Sequence, residues 1–243
     1  MKIKNTKNFI DFCNEIGINS FFNDKPVKKF SYSIKNSFLK QNILNKKSNH
    51  NYNKLDLLND LRIKVEKLNC SIKNTATKLV FGDGNINADV MLVGEAPGSE
   101  EDRSGIPFVG QAGELLNKML TSIKIERKNC YVTNVIFWRP PGNRVPSKDE
   151  IQTCLPFLKE HIKIINPKFL ILMGNVASKS LIDPSLGITK ISGKKFDYVL
   201  NGKKIPCWPI FHPAFLLRNS NAKKSMWIVL CKIFYFMNKY YEN

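Results

Sequence analysis

The sequence has no long apolar run and no recognisable export signal. No stretch of around 20 uninterrupted apolar residues is present, and a membrane-spanning helix needs a stretch of about that length. The chain starts Met-Lys-Ile-Lys-Asn-Thr-Lys, without the apolar core of a secretory signal. We therefore expect a soluble protein that works in the cytoplasm and does not enter a membrane.

Short Cys-x-x-Cys pairs are also absent, although the chain contains six cysteines. In a reducing compartment, widely spaced cysteines are more often buried thiols than a disulfide framework. We therefore expect no disulfide scaffold. The cysteines are Cys13, Cys70, Cys130, Cys154, Cys207 and Cys231.

Acidic side chains are few. There are 20 Asp and Glu against 38 Lys and Arg, which gives a net charge of +18. A strongly cationic protein attracts polyanions and releases their counterions on binding, so DNA, RNA and anionic membranes are its natural partners. Charge alone does not choose among them, and biased codon usage would also produce a chain rich in Lys and Asn.

The length of 243 residues, 43% of them hydrophobic, suits one domain and an extension. Apolar residues at helical spacing predict a helix over residues 8–23. The Asn-, Lys- and Ser-rich stretch over residues 31–54 is typical of a linker or loop. We therefore predict an N-terminal extension over residues 1–54 and a globular domain over residues 55–243.

From residue 55 onwards, short apolar runs alternate with longer segments at helical spacing, as in an α/β fold. Several runs are apolar throughout, which is typical of strands buried on both faces of a parallel sheet. We predict a three-layer α/β/α sandwich with a mostly parallel central sheet of four to five strands. The predicted strands are Lys78–Phe81, Val90–Val93, Tyr131–Ile136, Phe169–Met173 and Cys207–Phe211, and the predicted helices are Leu55–Leu68, Gly113–Ile123, Lys148–Ile165 and Asn175–Leu181.

Ligands of such sheets bind beyond the carboxyl ends of the strands, so the loops after Val93, Ile136 and Phe211 are the informative ones. The first loop, Gly94–Gly113, is rich in glycine and proline, which lets backbone amides approach a phosphate or a base. It matches neither the phosphate-binding loop of nucleotide hydrolases nor the dinucleotide fingerprint. Tight packing alone would also explain such a loop.

The other two loops place polar side chains at strand ends. Asn134 lies in an otherwise apolar strand, where a buried amide needs hydrogen-bond partners. It serves either as a structural cap or as a group that matches one edge of a nucleobase. His212 directly follows a strand and precedes an apolar wedge and Arg218. A histidine in this position is as readily structural as catalytic.

Taken together, six segments resemble the uracil-DNA glycosylase superfamily, and within it the type-4 branch, over about residues 61–227. Their order and spacing also agree with that family. One such motif would be weak, whereas six in order make coincidence implausible. The segments are Val-Phe-Gly-Asp-Gly-Asn (80–85), Gly-Glu-Ala-Pro-Gly (94–98), Pro-Phe-Val-Gly-Gln-Ala-Gly (107–113), Thr-Asn (133–134), Arg-Pro-Pro-Gly-Asn-Arg (139–144) and His-Pro-Ala-Phe-Leu-Leu-Arg (212–218).

The resemblance implies a DNA-repair glycosylase that flips uracil out of DNA and hydrolyses its bond to the sugar, leaving an abasic site for base excision repair. It implies two catalytic residues. Glu95 would orient water and stabilise the sugar cation, and His212 would donate a hydrogen bond to uracil O2 as negative charge develops there.

The resemblance also implies how the uracil is held. Phe108 would stack on the flipped base, and Asn134 would hydrogen-bond to its pairing edge. Gly94 and Gly98 would complete the pocket. Gly98 stands where some relatives carry a bulky ring that excludes the thymine methyl group.

The partner that follows is DNA containing uracil, bound by a monomer. Leu216, Leu217 and Arg218 would fill the gap that the flipped nucleotide leaves. Arg139 and Arg144 would hold the DNA backbone.

Type-4 members typically bind a 4Fe-4S cluster through four cysteines, and this chain departs from that pattern. Cys70 and Cys154 match two of the positions, whereas Lys73 and Trp138 occupy the other two. Neither lysine nor tryptophan can supply a thiolate to iron. Cys130 would raise the number of thiols only to three. We therefore predict no metal and no cofactor, although the family resemblance by itself would imply the cluster.

Two other functions stay open at this point. One is a non-catalytic DNA-binding or replication-associated module that has kept the fold. The other is a relative that traps DNA covalently through an inserted histidine loop. The segment 139–146 contains no histidine, which argues against the second.

Overall fold

The central strands of the sheet are short apolar segments, and every residue of three of them is buried. The computed structural model describes residues 50–242. Strands with no solvent-facing side need a layer of helices on each face. The strands are β1 (Asp83–Gly84), β2 (Val90–Gly94), β3 (Cys130–Asn134), β4 (Phe169–Met173), β5 (Phe196–Leu200) and β6 (Lys203–Ile210).

Helices follow most strands of the described part of the chain and return it to the start of the next strand. Three short 3-10 helices add to them, at Ser71–Thr75, Arg127–Asn129 and Pro141–Asn143. The α-helices are α1 (His50–Glu66), α2 (Ser99–Ser104), α3 (Gln111–Ser122), α4 (Lys148–Ile165), α5 (Asn175–Leu181), α6 (Ile188–Ile191), α7 (Pro213–Arg218) and α8 (Ala222–Glu242).

The sheet has six strands in the order β1-β3-β2-β4-β6-β5. The four inner strands run parallel to one another, and β1 and β5 pair antiparallel at the two edges. The prediction of a mostly parallel sheet is confirmed, with six strands instead of four to five. Because the four inner strands point the same way, their carboxyl ends share one edge of the sheet.

Alternate residues of each inner strand enter two separate cores, which makes the fold a three-layer sandwich. In β2, Met91 and Val93 pack in the core that contains residues of α1, α4 and α5. Val90 and Leu92 pack in the opposite core, with residues of α3, α7 and α8. The two faces of the sheet are therefore both covered, as the apolar strands required.

The edges of the sheet differ from the prediction. The prediction of a strand over Lys78–Phe81 is wrong, because the backbone hydrogen bond from Val80 N to Phe137 O (2.8 Å) is isolated and does not extend into a ladder. β5 was not predicted, and β6 starts four residues earlier than expected. The reason is a hairpin: Asn201 and Gly202 both have positive φ, of 51° and 78°, as a tight turn between paired strands requires.

The predicted helices agree with the structure more closely than the predicted edge strands do. The bounds of α4 and α5 agree with those predicted, and α1 and α3 are displaced by a few residues. The long α8 was not predicted. The helix expected over residues 8–23 and most of the expected linker lie outside the described residues. Among the helices that the structure does describe, none has the length and apolarity needed to cross a membrane.

Candidate active site

Three loops converge at the carboxyl edge of the sheet. β2 and β3 end side by side, because Gly94 and Asn134 are partners in their parallel register. β6 ends at Ile210, and His212 follows it closely. Phe108, from the loop after β2, places its ring centroid 5.6 Å from that of His212. The structure thus brings together one predicted side chain from each of the three loops.

Gly94 is the point of closest approach within this group. A Cβ atom there would lie 2.3 Å from Asn134 Oδ1 and 2.6 Å from Phe108 Cζ. Real Cβ atoms essentially never come so close to another heavy atom. The missing side chain at position 94 therefore lets the amide and the aromatic ring lie next to each other.

The Asn134 side chain is buried, and its amide oxygen has no hydrogen-bond partner. Only 1% of this residue is exposed, and Oδ1 has no hydrogen-bond partner. Burying an amide oxygen without a hydrogen bond costs free energy, unless a ligand donates one to it. This oxygen is therefore available to accept a hydrogen bond from a ligand.

Phe108 adopts a backbone conformation that aromatic residues rarely take. Its φ is 57°, in the left-handed region, and its side chain is buried. The carbonyl group of Phe108 packs against the first turn of α3, where a Cβ atom on Gly113 would lie 1.9 Å from it. A glycine at position 113 is needed for this approach. The orientation of the ring is thus fixed by the backbone on either side of it.

Glu101, which was not among the predicted site residues, holds this loop together. Its buried carboxylate accepts hydrogen bonds from the backbone N–H groups of Gly98, Val109 and Gly110, each 3.0 Å long. Charge-assisted bonds of this kind are stronger than those between neutral groups. The two ends of the segment that carries Phe108 are therefore tied to one side chain.

A sequence signal for Glu101 was available in the spacing of a capping box. Gly98 is the N-cap of α2, and Glu101 is the third residue of that helix. The close fit also explains the glycine, since a Cβ atom at position 98 would lie 2.7 Å from Glu101 Oε2. A bulky ring at this position would have to displace the carboxylate.

His212 is held as a neutral donor. Burial, followed by the positive charge of Arg218, lowers the pKa of His212 to about 4, against a smaller opposing effect of Glu101. Its Nδ1 accepts a hydrogen bond from the backbone N–H of Ala214 (3.2 Å). A neutral imidazole whose Nδ1 accepts must carry its proton on Nε2. The imidazole therefore has an N–H to offer at the site, without a positive charge.

Glu95 directly follows β2 and is half-buried. Burial raises the pKa of its carboxyl group above the ordinary value of 4.5. Its backbone oxygen accepts a hydrogen bond from Ile136 N (3.1 Å), which joins the first loop to the second. A carboxylate with a raised pKa at a strand end is a candidate for proton transfer or for orienting water.

The two arginines of the second loop are engaged within the protein. Arg139 donates through Nε to Asn143 Oδ1 (2.9 Å). Arg144 makes two hydrogen bonds to the buried carboxylate of Glu150, of 2.8 and 2.6 Å. This pairing, together with the hydrogen bond from Ser147 N to the same carboxylate, lowers the pKa of Glu150. The charge of Arg144 is thus partly neutralised by its neighbour.

The structure separates the three residues expected to fill a gap in DNA. Leu216 is 1% exposed and belongs to the core next to α3. Leu217 is 43% exposed and Arg218 is also exposed. In this conformation only the last two are available to a ligand.

The positions that match cluster ligands do not assemble a metal site. Cys70 and Cys154 are neighbours, and burial followed by the proximity of Cys70 raises the pKa of Cys154 to about 12. Lys73 Nζ donates to the carbonyl oxygen of Glu66, and the buried Trp138 lines the same small cavity as Lys73. Among the described residues, no group of three His, Cys, Asp or Glu side chains is placed to hold a metal ion. A four-thiolate cluster does not fit this pair of thiols.

The site as a whole suits a small planar ring that has its own hydrogen-bonding groups. It offers an aromatic face, an unpartnered amide oxygen and a neutral N–H donor at the ligand-binding edge of an α/β/α sheet. The chain belongs to the uracil DNA glycosylase superfamily, whose family model matches residues 81–232. That stretch contains the three loops and their site residues, from Gly94 to Arg218.

Curated relatives support the same family. The chain is 40% identical over 170 residues to a type-4 uracil-DNA glycosylase of Thermotoga maritima, covering 69% of this chain and 87% of that protein. It is 40% identical over 171 residues to the type-4 uracil-DNA glycosylase of Sulfurisphaera tokodaii, covering 67% and 78%. A third, from Archaeoglobus fulgidus, is 40% identical over 152 residues, covering 61% and 76%.

The three hydrogen bonds to Glu101 lead to a prediction about stability. Glu101→Ala leaves three backbone N–H groups without their acceptor, and we expect it to lower the free energy of unfolding by about 3 kcal/mol. Urea denaturation followed by circular dichroism measures this change. The matched control is Glu100→Ala, which removes only an exposed ion pair with Arg103 and should cost less than about 0.5 kcal/mol. Equal losses for the two variants would contradict the role of Glu101.

Proposed function

We propose that this protein binds a uracil flipped out of DNA and hydrolyses the bond between the base and its sugar. The observation that carries the proposal is the unpartnered, buried Oδ1 of Asn134, which lies beside the Phe108 ring. The similarity to type-4 uracil-DNA glycosylases supports the choice of uracil. The product would be an abasic site, the starting point of base excision repair.

Recognition of the base would rest on Asn134 and Phe108. The pairing edge of uracil presents an N–H donor next to carbonyl acceptors, and an Asn amide offers one acceptor and two donors to match it. The uracil N–H would donate a hydrogen bond to Asn134 Oδ1, which has no partner within the chain. Phe108 would stack on the face of the ring, held there by its left-handed backbone. Gly94 and Gly98 would keep the pocket open for these groups.

Cleavage would depend on two opposite charges that develop as the bond breaks. The departing uracil becomes negative, and the Nε2–H of the neutral His212 would donate to its O2 as this happens. The sugar becomes positive, and the Glu95 carboxylate would stabilise it and orient the attacking water. Both residues start loops at the same edge of the sheet.

DNA would bind across this edge. Flipping a nucleotide costs a few kcal/mol in lost stacking and pairing, and apolar atoms that enter the gap recover part of that cost. Leu217 and Arg218 are exposed beside His212 and suit this role. Leu216 packs in the core and would support them. The positive charge of the chain, +18 overall, favours the phosphate backbone.

We also propose that this activity needs no iron-sulfur cluster. The support is the chemistry of the four matching positions: two thiols, an ammonium group hydrogen-bonded to the Glu66 carbonyl, and a buried indole. Trp138 and Lys73 would fill with protein atoms the space that a cluster takes in other members, and so keep the Arg139–Arg144 loop in position.

The first test is the excision of uracil from an oligonucleotide that contains one uracil, followed by alkaline cleavage at the abasic site. The wild-type protein should yield the cleaved strand. His212→Ala removes the N–H donor and should lower kcat by about 10²- to 10³-fold. Asn117→Ala, on the exposed face of α3, is the control and should leave the rate unchanged. A wild-type protein that cleaves nothing while a known glycosylase works would favour the non-catalytic DNA-binding module.

The pH dependence tests the role of Glu95. If its ionised form is needed, kcat/KM should fall on the acid side as Glu95 takes up a proton, and the midpoint should lie above the ordinary 4.5 because burial raises its pKa. The pKa of His212 is lowered to about 4, so this residue takes up its proton at lower pH than Glu95. Glu95→Gln should have low activity that no longer falls over the same range. Coinciding acid limbs for the two proteins would refute this assignment.

Iron analysis tests the cluster proposal. Protein purified under anaerobic conditions should contain far less than stoichiometric iron and should lack the broad visible absorption of a cluster. The double variant Lys73→Cys/Trp138→Cys, which has cysteine at all four matching positions, is the comparison and should gain iron. Stoichiometric iron in the wild-type protein would overturn the proposal.

A further inference from the structure

We propose that Val145, at the tip of the loop after β3, is a second apolar wedge that packs against the DNA bases beside the flipped nucleotide. The inference rests on the proposed function and adds to it a contact with duplex DNA. Val145 is 68% exposed, which is the largest exposure among the large hydrophobic residues that the structure describes.

The topology places Val145 on the same side of the sheet as the pocket. β3 ends at Asn134 at the carboxyl edge. Helix α4 begins at Lys148 and carries the chain through 18 residues back towards the opposite edge, where β4 begins at Phe169. The segment between β3 and α4 therefore stays at the carboxyl edge, and Val145 lies three residues before that helix.

Hydrogen bonds on both sides of Val145 hold this part of the loop in place. Arg144 is fixed by its two hydrogen bonds to Glu150, and Glu150 also accepts from Ser147 N (2.7 Å). These bonds brace the chain on both sides of Val145. Pro146, the next residue, is buried. A hydrophobic side chain on a mobile loop would lose entropy on binding, whereas this one is held in place before DNA arrives.

The charges and side chains around Val145 favour nucleic acid as the partner that contacts it. The apolar tip is flanked by Arg144 and by Arg139 of the same loop, both of them cationic and at least partly exposed. Leu217 and Arg218, at the end of α7 in the segment that follows β6, repeat the pairing of an apolar side chain with an arginine. Apolar wedges among basic groups are the means by which proteins replace stacking in distorted DNA.

The arrangement gives Arg144 a positioning role in addition to any contact with phosphate. Its guanidinium group is bound to a buried carboxylate, so the residue's main effect would be to orient its neighbour. Val145 would then reach DNA from the β3 side of the pocket while Leu217 reaches it from the β6 side. Two wedges from different loops would hold the helix open around one flipped nucleotide.

The test compares uracil excision from single-stranded DNA with that from a duplex in which uracil pairs with adenine. Val145→Asn should lower kcat/KM on the duplex about tenfold, the effect of losing one buried apolar contact. It should change the value on single strands by less than twofold, because an unpaired base needs no wedge. Val145→Leu should retain the duplex activity, and Leu217→Asn should show the same split as Val145→Asn.

The matched control is Val199→Asn. Val199 is 60% exposed on β5 at the outer edge of the sheet, and this variant should match the wild type on both substrates. Equal losses on the two substrates for Val145→Asn, or no loss on the duplex, would overturn the wedge. A wild-type protein that cuts only single strands would overturn it as well. Failure of the proposed function looks different, because the wild-type protein would then excise uracil from neither substrate.

Discussion

The Glu101 carboxylate accepts three backbone N–H groups of the loop after β2, and the shape of the pocket depends on this clamp. Without it, three backbone N–H groups of this loop would lose their acceptor, and the left-handed backbone of Phe108 would be less firmly held. The aromatic face would then lose its position beside Asn134. The same carboxylate fills the space next to Gly98, so a side chain at position 98 would have to displace it.

Burial is the main cause of the shifted pKa values of His212 and Glu95. It lowers the pKa of His212 and raises that of Glu95, so the histidine is neutral and the carboxyl group is poised nearer to physiological pH. A neutral imidazole can donate to a developing anion without first having to hold a charge in an apolar pocket. His161 shows the contrast. It is also buried and neutral, yet its Nε2 lies 2.8 Å from the Tyr131 hydroxyl, away from the three loops.

Trp138 packs into the core at the start of the second loop. Trp138 is buried and makes an edge-on contact with Phe137, and two adjacent thiols complete this region. This packing contributes to holding the start of the second loop. The Arg144–Glu150 pair then fixes its far end, so the loop is constrained on both sides by ordinary packing and one ion pair.

The sequence by itself determined the parallel core of the sheet and helices α4 and α5, because these depend on local apolar patterning. It also identified the segments that carry Asn134, Phe108 and His212, because these depend on motif order. It did not locate β5, whose residues alternate in exposure at an edge, nor the role of Glu101, whose three partners are backbone groups that any residue could supply. Only the tertiary structure separated the buried Leu216 from the exposed Leu217, and only it paired Arg144 with Glu150. Successive residues of an α-helix point about 100° apart around its axis, and the layer that packs against the helix decides which of them faces the core.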